Sequence, residues 1–372
     1  MVSEKNIRKH LKQVMESKNL TQKQVSANIN ISEAHLSKFM SGKEIVLSMV
    51  LDLVLFLDPE NEVELMTNYL MEIKRKKNKR IALEYAHTRQ IQRLSEYLIQ
   101  QGLNDSNNEV REWSQIYQWQ LQAKRTDYNE REFLNELKNF KAHSLEMEVL
   151  LMILEMYGFF YNQKYEISYH YVEEIKLELD AVTDPFIKKA FSVRLDEALA
   201  HIALKYNDDE IEARTAASRI LGAKLGPTFD STAFFILGLS YMTESYEDSY
   251  HFFKKCLLIN KEIGRYNVVE DLKEQISILQ LYWDKPVEFS KNIFIKQLMH
   301  GESSTVDYSS DKQKQAFLLL FEGIREADCD KLLLSMHLFV NNKDRFRARL
   351  PKIQLLKIDS FKNSNLKEVI ML

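Results

Sequence analysis

Residues that interrupt helices are scarce in this chain. Only 9 glycines and 5 prolines occur among its 372 residues, whereas 45% of the residues are hydrophobic. Long stretches repeat their apolar residues with the 3.6-residue period of amphipathic helices, and so few turn residues leave little room for the tight turns of a β-sheet. The composition therefore predicts an all-α protein with short loops. A chain of this length is expected to form two or three folding units.

Cysteines and long apolar runs are scarce too. Cys256 and Cys329, the two cysteines, each stand alone in an apolar helical pattern, which indicates reduced core thiols instead of a disulfide or a metal site. No signal-peptide pattern and no apolar run of about eighteen residues is present. We therefore expect a cytoplasmic protein without membrane contact.

Catalytic motifs are missing from the sequence. It has no glycine-rich phosphate loop, no metal-ligand spacing and no nucleophile elbow, and its 9 histidines form no HExxH pattern. We expect neither an enzyme nor a cofactor.

Charge is distributed unevenly along the chain. The net charge is −3, yet residues 1–45 carry 8 Lys or Arg against 4 Glu. A basic head on an acidic body is typical of a DNA-binding module attached to something that does not bind DNA.

Residues 20–42 carry the local signals of two short helices around a turn. Thr21 is followed three residues later by Gln24, which is the pattern of a capping box. Asn30 tolerates the left-handed backbone of a turn, Ser32 is a second N-cap, and Gly42 can end the second helix with positive φ. The pattern predicts a helix-turn-helix.

Neither short helix can bury its apolar face alone. Support is predicted from an amphipathic stretch at residues 6–15 and an apolar run at 45–57. The alternative is an ordinary helical hairpin whose capping residues arose by chance.

The segment resembles the phage-repressor type of helix-turn-helix, with small Ala27 in the first helix and Leu36 and Phe39 pointing inward in the second. The resemblance implies that Gln22 and Lys23 contact phosphates. The residues that it places in the major groove are Ser32, Glu33, Ala34, His35, Ser37 and Lys38. Thr21 and Lys43 complete the predicted DNA-binding set.

Three segments are predicted along the chain: a helix-turn-helix domain at residues 1–58, a basic connector at 59–80 and a repeat domain at 81–372. Within the connector, residues 74–80 carry six positive charges in seven positions. Such a run is either a solvated connector or, beside a helix-turn-helix, a contact to phosphates.

The remainder reads as successive helices with brief breaks at residues 101–108, 124–128, 183–185 and 226–227. Residues 237–260 resemble a tetratricopeptide unit, in which Gly238 and Ser249 permit close helix approach while Tyr241 and Phe253 fill the groove. Weaker copies are found at 154–177, 198–221 and 321–340. Their regular order predicts a tetratricopeptide-like helical-repeat solenoid.

A polar stripe runs along the helix predicted at residues 186–206. It consists of Arg194, Glu197, His201 and Lys205 at helical spacing. One interpretation is a solvated face with ion pairs. The other is a row of donors and acceptors that binds an extended peptide, with Phe235 and Leu239 of the next repeat as an apolar wall.

The C-terminal tail is more apolar than the end of a solenoid should be, because a terminal repeat normally needs a polar outer face. Its apolar residues are Leu366, Val369, Ile370, Met371 and Leu372. We therefore expect a homodimer through the C-terminal repeats, which would also suit a palindromic DNA site.

A helix-turn-helix followed by such repeats resembles the quorum-sensing regulators of Gram-positive bacteria that sense oligopeptides. Within them, the chain looks like the arbitrium receptors (AimR) of temperate Bacillus phages. The segments that carry this resemblance are 82–97, 112–117, 186–213, 245–256 and the tail from residue 350.

The resemblance implies a homodimeric DNA-binding regulator of the phage lysis–lysogeny decision, which a hexapeptide disables. In that family the peptide is held by asparagines at the positions of His201, Lys205 and Leu239 and by an arginine at that of Thr228, whereas Arg194 is retained. His201 and Lys205 in place of amides predict a more acidic ligand or stronger capture of a carboxylate.

Two other classes remain open. A solenoid that binds a protein partner, such as a response-regulator phosphatase or an antiactivator, would share the repeats but bind no operator. A purely structural scaffold would bind neither operator nor peptide.

Overall fold

The computed structural model describes residues 6–122, 130–301, 308 and 310–358. In these ranges the regular structure consists of helices, and they contain no strand. The predicted all-α fold is therefore confirmed.

The helices up to residue 179 are short to medium in length. They are α1 Ile7–Ser17, α2 Gln22–Asn28, α3 Glu33–Met40, α4 Leu47–Leu57, a 3₁₀ turn Pro59–Asn61, α5 Glu62–Leu70, α6 Lys76–Thr88, α7 Gln92–Leu103, α8 Asn108–Gln122, α9 Glu130–Asn139, α10 Leu145–Tyr161 and α11 Tyr165–Leu179.

The rest of the chain also consists of helices, one of which is followed by an irregular turn. They are α12 Pro185–Ile202, a π-helical turn Ala203–Asn207, α13 Glu210–Ala223, α14 Pro227–Ser240, α15 Tyr246–Glu262, α16 Tyr266–Tyr282, α17 Ile293–His300, α18 Lys312–Glu326, α19 Cys329–Asn341 and α20 Arg345–Leu355.

Two compact units divide the chain. One comprises Met1–Gly158 with Glu173–Ser192, and the other Phe159–Val172 with Val193–Leu372. The predicted boundaries at residues 58 and 80 concern functional segments and stay predictions. The predicted break at residues 124–128 lies outside the described residues.

The helix-turn-helix forms through the predicted caps. The Gln24 amide donates to Thr21 Oγ1 (3.2 Å) and the Thr21 amide donates to Gln24 Oε1 (2.9 Å), which completes the capping box. Asn30 has a φ of 55° in the turn, and Gly42 has a φ of 99° after α3. Because α2 and α3 begin at their predicted caps and contact each other, the hairpin has the expected local geometry.

Helices α1 and α4 pack around this hairpin. The apolar face of α1 is buried through Ile7, Leu11 and Met15. Arg8 adds a contact that periodicity does not reveal: its Nε donates to the Phe39 carbonyl (2.8 Å) and its guanidinium lies 4.9 Å from the centre of the Phe39 ring. The C-terminal end of α3 is thereby held against α1.

The predicted repeat at residues 237–260 spans helices α14 and α15, which pack closely. A Cβ on Gly238 would come within 2.7 Å of the Phe253 ring, and Ser249 Oγ donates to the Gly238 carbonyl (2.7 Å). Ser249 and Phe253 are both fully buried. The close approach predicted for Gly238 and Ser249 is therefore confirmed.

The other three predicted copies also span helical hairpins, since 154–177 covers parts of α10 and α11, 198–221 parts of α12 and α13, and 321–340 parts of α18 and α19. Within the second unit, successive helices from α13 to α20 contact one another, as in a helical-repeat solenoid. In the part of the chain that is described, no helix is long and apolar enough to cross a membrane.

Candidate functional sites

One face of α3 is open to solvent while the other is buried. Leu36 and Phe39 are fully buried. The residues predicted to read the major groove are all exposed: Ser32, Glu33, Ala34, His35, Ser37 and Lys38. Helix α3 thus presents a polar face that no described side chain covers.

Two side chains at the start of α3 are linked. Ser32 Oγ and His35 Nδ1 lie 2.7 Å apart, and the same Ser32 oxygen accepts from the His35 amide (3.3 Å). Fixing one ring nitrogen leaves His35 Nε2 as the nitrogen available to an external partner.

The other predicted DNA-binding residues lie at the ends of the hairpin. Thr21 and Lys23, at the start of α2, are exposed and Gln22 is half-buried. Lys43, in the loop after α3, is exposed as well. The geometry is that of a helix-turn-helix whose donors surround one exposed helix, but DNA contact by these residues stays a prediction.

The polar stripe on α12 is not a solvated face throughout. Arg194 is only 2% exposed, and Glu197 is half-buried, with a carboxylate oxygen that accepts from Thr232 Oγ1 (3.0 Å). Burial of an arginine requires compensating contacts, which a solvated stripe would not need.

His201 lies in an aromatic environment. Its ring is 5.7 Å from that of Phe160 and 6.3 Å from that of Phe235, between ring centres, and its buried Nδ1 makes no hydrogen bond with any described residue. Burial, followed by the charges of Lys205 and Arg347, lowers the pKa of His201 to about 3. His201 is therefore neutral near pH 7 and contributes no positive charge.

Lys205 lies in the π-helical turn that ends α12. Such turns are rare and occur frequently at functional sites. Burial, followed by the charge of Arg347, lowers the pKa of Lys205, and Asp344 acts in the opposite direction. Its ammonium group makes no hydrogen bond or ion pair with any residue that the structure describes.

Helix α20 supplies a charged group that the sequence reasoning missed. Arg347, 3% exposed, pairs with Asp344 (2.6 Å) and donates to Gln275 Oε1 (2.9 Å), while its Nε has no acceptor among the described residues. Asp344 is thus already engaged by Arg347, and the Lys205 amine is left without a carboxylate partner among the described residues. Nothing local in the sequence signals this, because α12 and α20 are far apart along the chain.

The N-terminal half of α20 also contacts the π-helical turn and the residues that follow it. Arg349 pairs with Asp208 (2.8 Å) and with Glu210, and Arg345 lies over the Tyr206 ring (4.9 Å from its centre). These contacts hold α20 beside Lys205.

The predicted apolar wall is only partly formed. Phe235 is half-buried beside His201, and Thr228 is half-buried at the start of α14. Leu239 is 1% exposed, so in contrast to the prediction its side chain belongs to the core and does not face a groove. The physical reason is that the end of α14 is covered by the packing of α15.

The predicted dimerisation residues, Leu366 and 369–372, lie outside the described residues. Among those that are described, no group of three or more His, Cys, Asp or Glu is placed to hold a metal ion.

Comparison with known proteins identifies relatives along most of the chain. The model of a family described as AimR transcriptional regulator-like matches residues 62–357. The AimR transcriptional regulator of Bacillus phage SPbeta is 21% identical over 347 residues, which cover 87% of this chain and 88% of that protein. The AimR transcriptional regulator of Bacillus phage phi3T is 23% identical over 326 residues, with 82% and 84% covered.

Solved structures agree with the fold. Selenomethionine-labelled phAimR superposes with a TM-score of 0.76 at 20% identity, covering 98% of this chain and all of the other. A ligand-bound phAimR gives a TM-score of 0.69, also at 20% identity, over 84% of this chain and 98% of the other. At this identity the likeness establishes the shared fold.

Proposed function

Because the chain belongs to the AimR transcriptional regulator-like family, we propose that it is a peptide-responsive regulator that binds a palindromic DNA operator as a homodimer. A short signalling peptide disables it, and the regulated choice is between phage lysis and lysogeny. Support for the last point is the source of its relatives, which are regulators of Bacillus phages.

The exposed face of α3 carries the DNA-binding part of this proposal. A recognition helix must bury one face in its own domain and present polar side chains to the base edges in the major groove. Helix α3 meets both requirements, since Leu36 and Phe39 are buried while His35 and Lys38 are exposed.

The peptide-binding part rests on the charges around Lys205. A desolvated ammonium group without a carboxylate of its own is unstable unless an anion reaches it. Because Asp344 is already paired with Arg347, the Lys205 ammonium group would be available to pair with an external carboxylate. The free C-terminus of a short peptide is such an anion, and neutral His201 would serve as a hydrogen-bonding group beside it.

Selection from a randomised duplex library tests the proposal. We expect the full-length protein to enrich one palindromic sequence, because two copies of α3 related by a two-fold axis read two half-sites about one helical turn apart. If no sequence is enriched and the protein instead binds a protein partner in a separate experiment, a solenoid that acts on proteins is favoured.

The homodimer makes a separate prediction. Truncation after Asn365 removes the apolar tail and should yield a monomer in analytical ultracentrifugation, because the tail is the proposed contact. Lys367→Gln, which changes the tail without removing apolar area, should leave the dimer intact. A truncated chain that still sediments as a dimer would place the interface elsewhere.

A further inference from the structure

The basic run at residues 74–80 is divided into two groups by its ion pairs. Lys79 pairs with Asp105 (2.5 Å) and Arg80 pairs with Glu109. Lys74, Arg75, Lys76 and Lys77 are all exposed, and their side chains form no ion pair with described residues. These four residues, the basic cluster, are the part of the run that is available to a partner.

The basic cluster is attached to the helix-turn-helix by hydrogen bonds. The carboxylate of Glu44, in the loop between α3 and α4, accepts from the backbone amides of Lys74 (2.7 Å) and Arg75 (2.9 Å). A flexible connector would not need a carboxylate that accepts hydrogen bonds from two of its backbone amides.

Asn78 makes the attachment rigid. Its side chain is fully buried, accepts from the Leu47 amide (3.0 Å) and donates to the Ile45 carbonyl (2.8 Å). Ile45 lies in the loop between α3 and α4, and Leu47 is the first residue of α4. The start of α6 is therefore built into the same packed structure as the loop after α3, although residues 74–77 themselves are exposed to solvent.

The position of the cluster follows from the path of the chain after α3. A helix in the major groove is flanked by two phosphate backbones, so a chain that leaves its C-terminal end passes close to one of them. Lys43 lies on this path, and Glu44 holds Lys74 and Arg75 next to it. Arg75 and Lys77 also line a cavity of about 500 Å³ together with residues 29–31, the turn of the helix-turn-helix.

That cavity is also lined by acidic residues. Asp52, Glu146 and Asp184 line it, and burial raises the pKa of both Asp52 and Asp184. The cavity itself is therefore a poor place for a phosphate, and the exposed basic cluster is a better one.

We propose that Lys74, Arg75, Lys76 and Lys77 bind the phosphate backbone of DNA beside the groove that α3 enters, as a second and sequence-independent contact. This inference rests on the proposed DNA-binding function. The cluster adds affinity and fixes the orientation of α3, whereas base edges are read by α3 itself.

The salt dependence of DNA binding tests the proposal. Each phosphate contact contributes about 0.9 to the slope of log K against log salt concentration. The triple variant Lys74→Gln, Lys76→Gln, Lys77→Gln should therefore flatten the slope by about 2 to 3 for each protomer on the DNA, or about 5 for the proposed homodimer. The reduction should be equal for a duplex that the protein has selected from a random library and for a duplex of unrelated sequence.

A matched triple variant controls for net charge. Lys261→Gln, Lys291→Gln and Lys296→Gln remove three exposed charges from the second unit. We expect these changes to leave the slope unaltered. An unchanged slope in the cluster variant overturns the proposal while DNA binding stands, and an equal loss in both variants overturns it in favour of a net-charge effect. If the wild-type protein binds neither duplex, the proposed function fails and this inference fails with it.

Discussion

Replacing His35 and Lys38 together by alanine should abolish most of the preference of the protein for its operator over unrelated DNA. Both side chains are exposed on α3, and a good contact to a base edge contributes about 1 to 3 kcal/mol of discrimination. If both residues read bases, the free energy of discrimination should fall by about 2 to 6 kcal/mol. The ratio of specific to non-specific affinity should then fall roughly 30-fold or more.

The ratio of affinities is the informative quantity in this experiment. Loss of a phosphate contact weakens all sequences alike and cancels in the ratio, whereas loss of a base contact does not. Lys9→Ala, which removes an exposed charge from α1, serves as the control. An undiminished ratio in the double variant would show that the exposed face of α3 does not read DNA.

The second large effect concerns Lys205. Lys205→Gln should weaken binding of a peptide with a free C-terminus by about 1.5 to 3 kcal/mol, roughly 10- to 150-fold, because a charge-assisted bond in a desolvated site is lost. A peptide with an amidated C-terminus should bind the wild type and the variant equally. Calorimetry with a hexapeptide that the protein binds, in its free-acid and amidated forms, measures both, and Lys261→Gln is a matched control on the surface.

The pH dependence provides an independent check on this site. Burial lowers the pKa of Lys205, so its ammonium form is lost at a lower pH than that of an exposed lysine. A carboxylate binds the ammonium form, and affinity should therefore fall as pH rises through this lowered pKa and be fully present below it. Lys205→Gln should remove that dependence. Equal affinities of wild type and variant at every pH would show that Lys205 does not contact the peptide.

Arg194 is a poor choice for the same test. The similarity to the AimR family directs attention to it, but it is 2% exposed, and its replacement by alanine would remove buried packing as well as charge. Lys205, half-buried in the π-helical turn, is the residue whose change isolates the electrostatic contact.

The helix-turn-helix and the repeat at residues 237–260 were predictable because their signals are local. A capping box needs Thr21 and Gln24 three residues apart, and the contact of Gly238 with Phe253 lies within one hairpin. Such patterns involve residues that are close together along the chain.

The charges of the sites were not predictable in the same way. Which residues of the basic run are neutralised depends on Asp105 and Glu109, which lie a helix or more away, and Lys205 meets Arg347 only because α20 packs beside the π-helical turn. The spacing of a polar stripe reveals a shared face but not its burial. Arg194 is an example, since it is buried in the folded protein, and Leu239 of the predicted apolar wall is buried in the same way.

Control of DNA binding by a peptide is the core of the proposed function. Its most direct test is a titration of the wild-type protein, bound to the duplex that it selects, with a hexapeptide that it binds in calorimetry. A peptide that prefers the form of the protein not bound to DNA must weaken operator affinity, since equal preference for both forms would shift nothing. We expect operator occupancy to fall as the peptide saturates. Unchanged occupancy at peptide concentrations that calorimetry shows to be saturating would contradict the account.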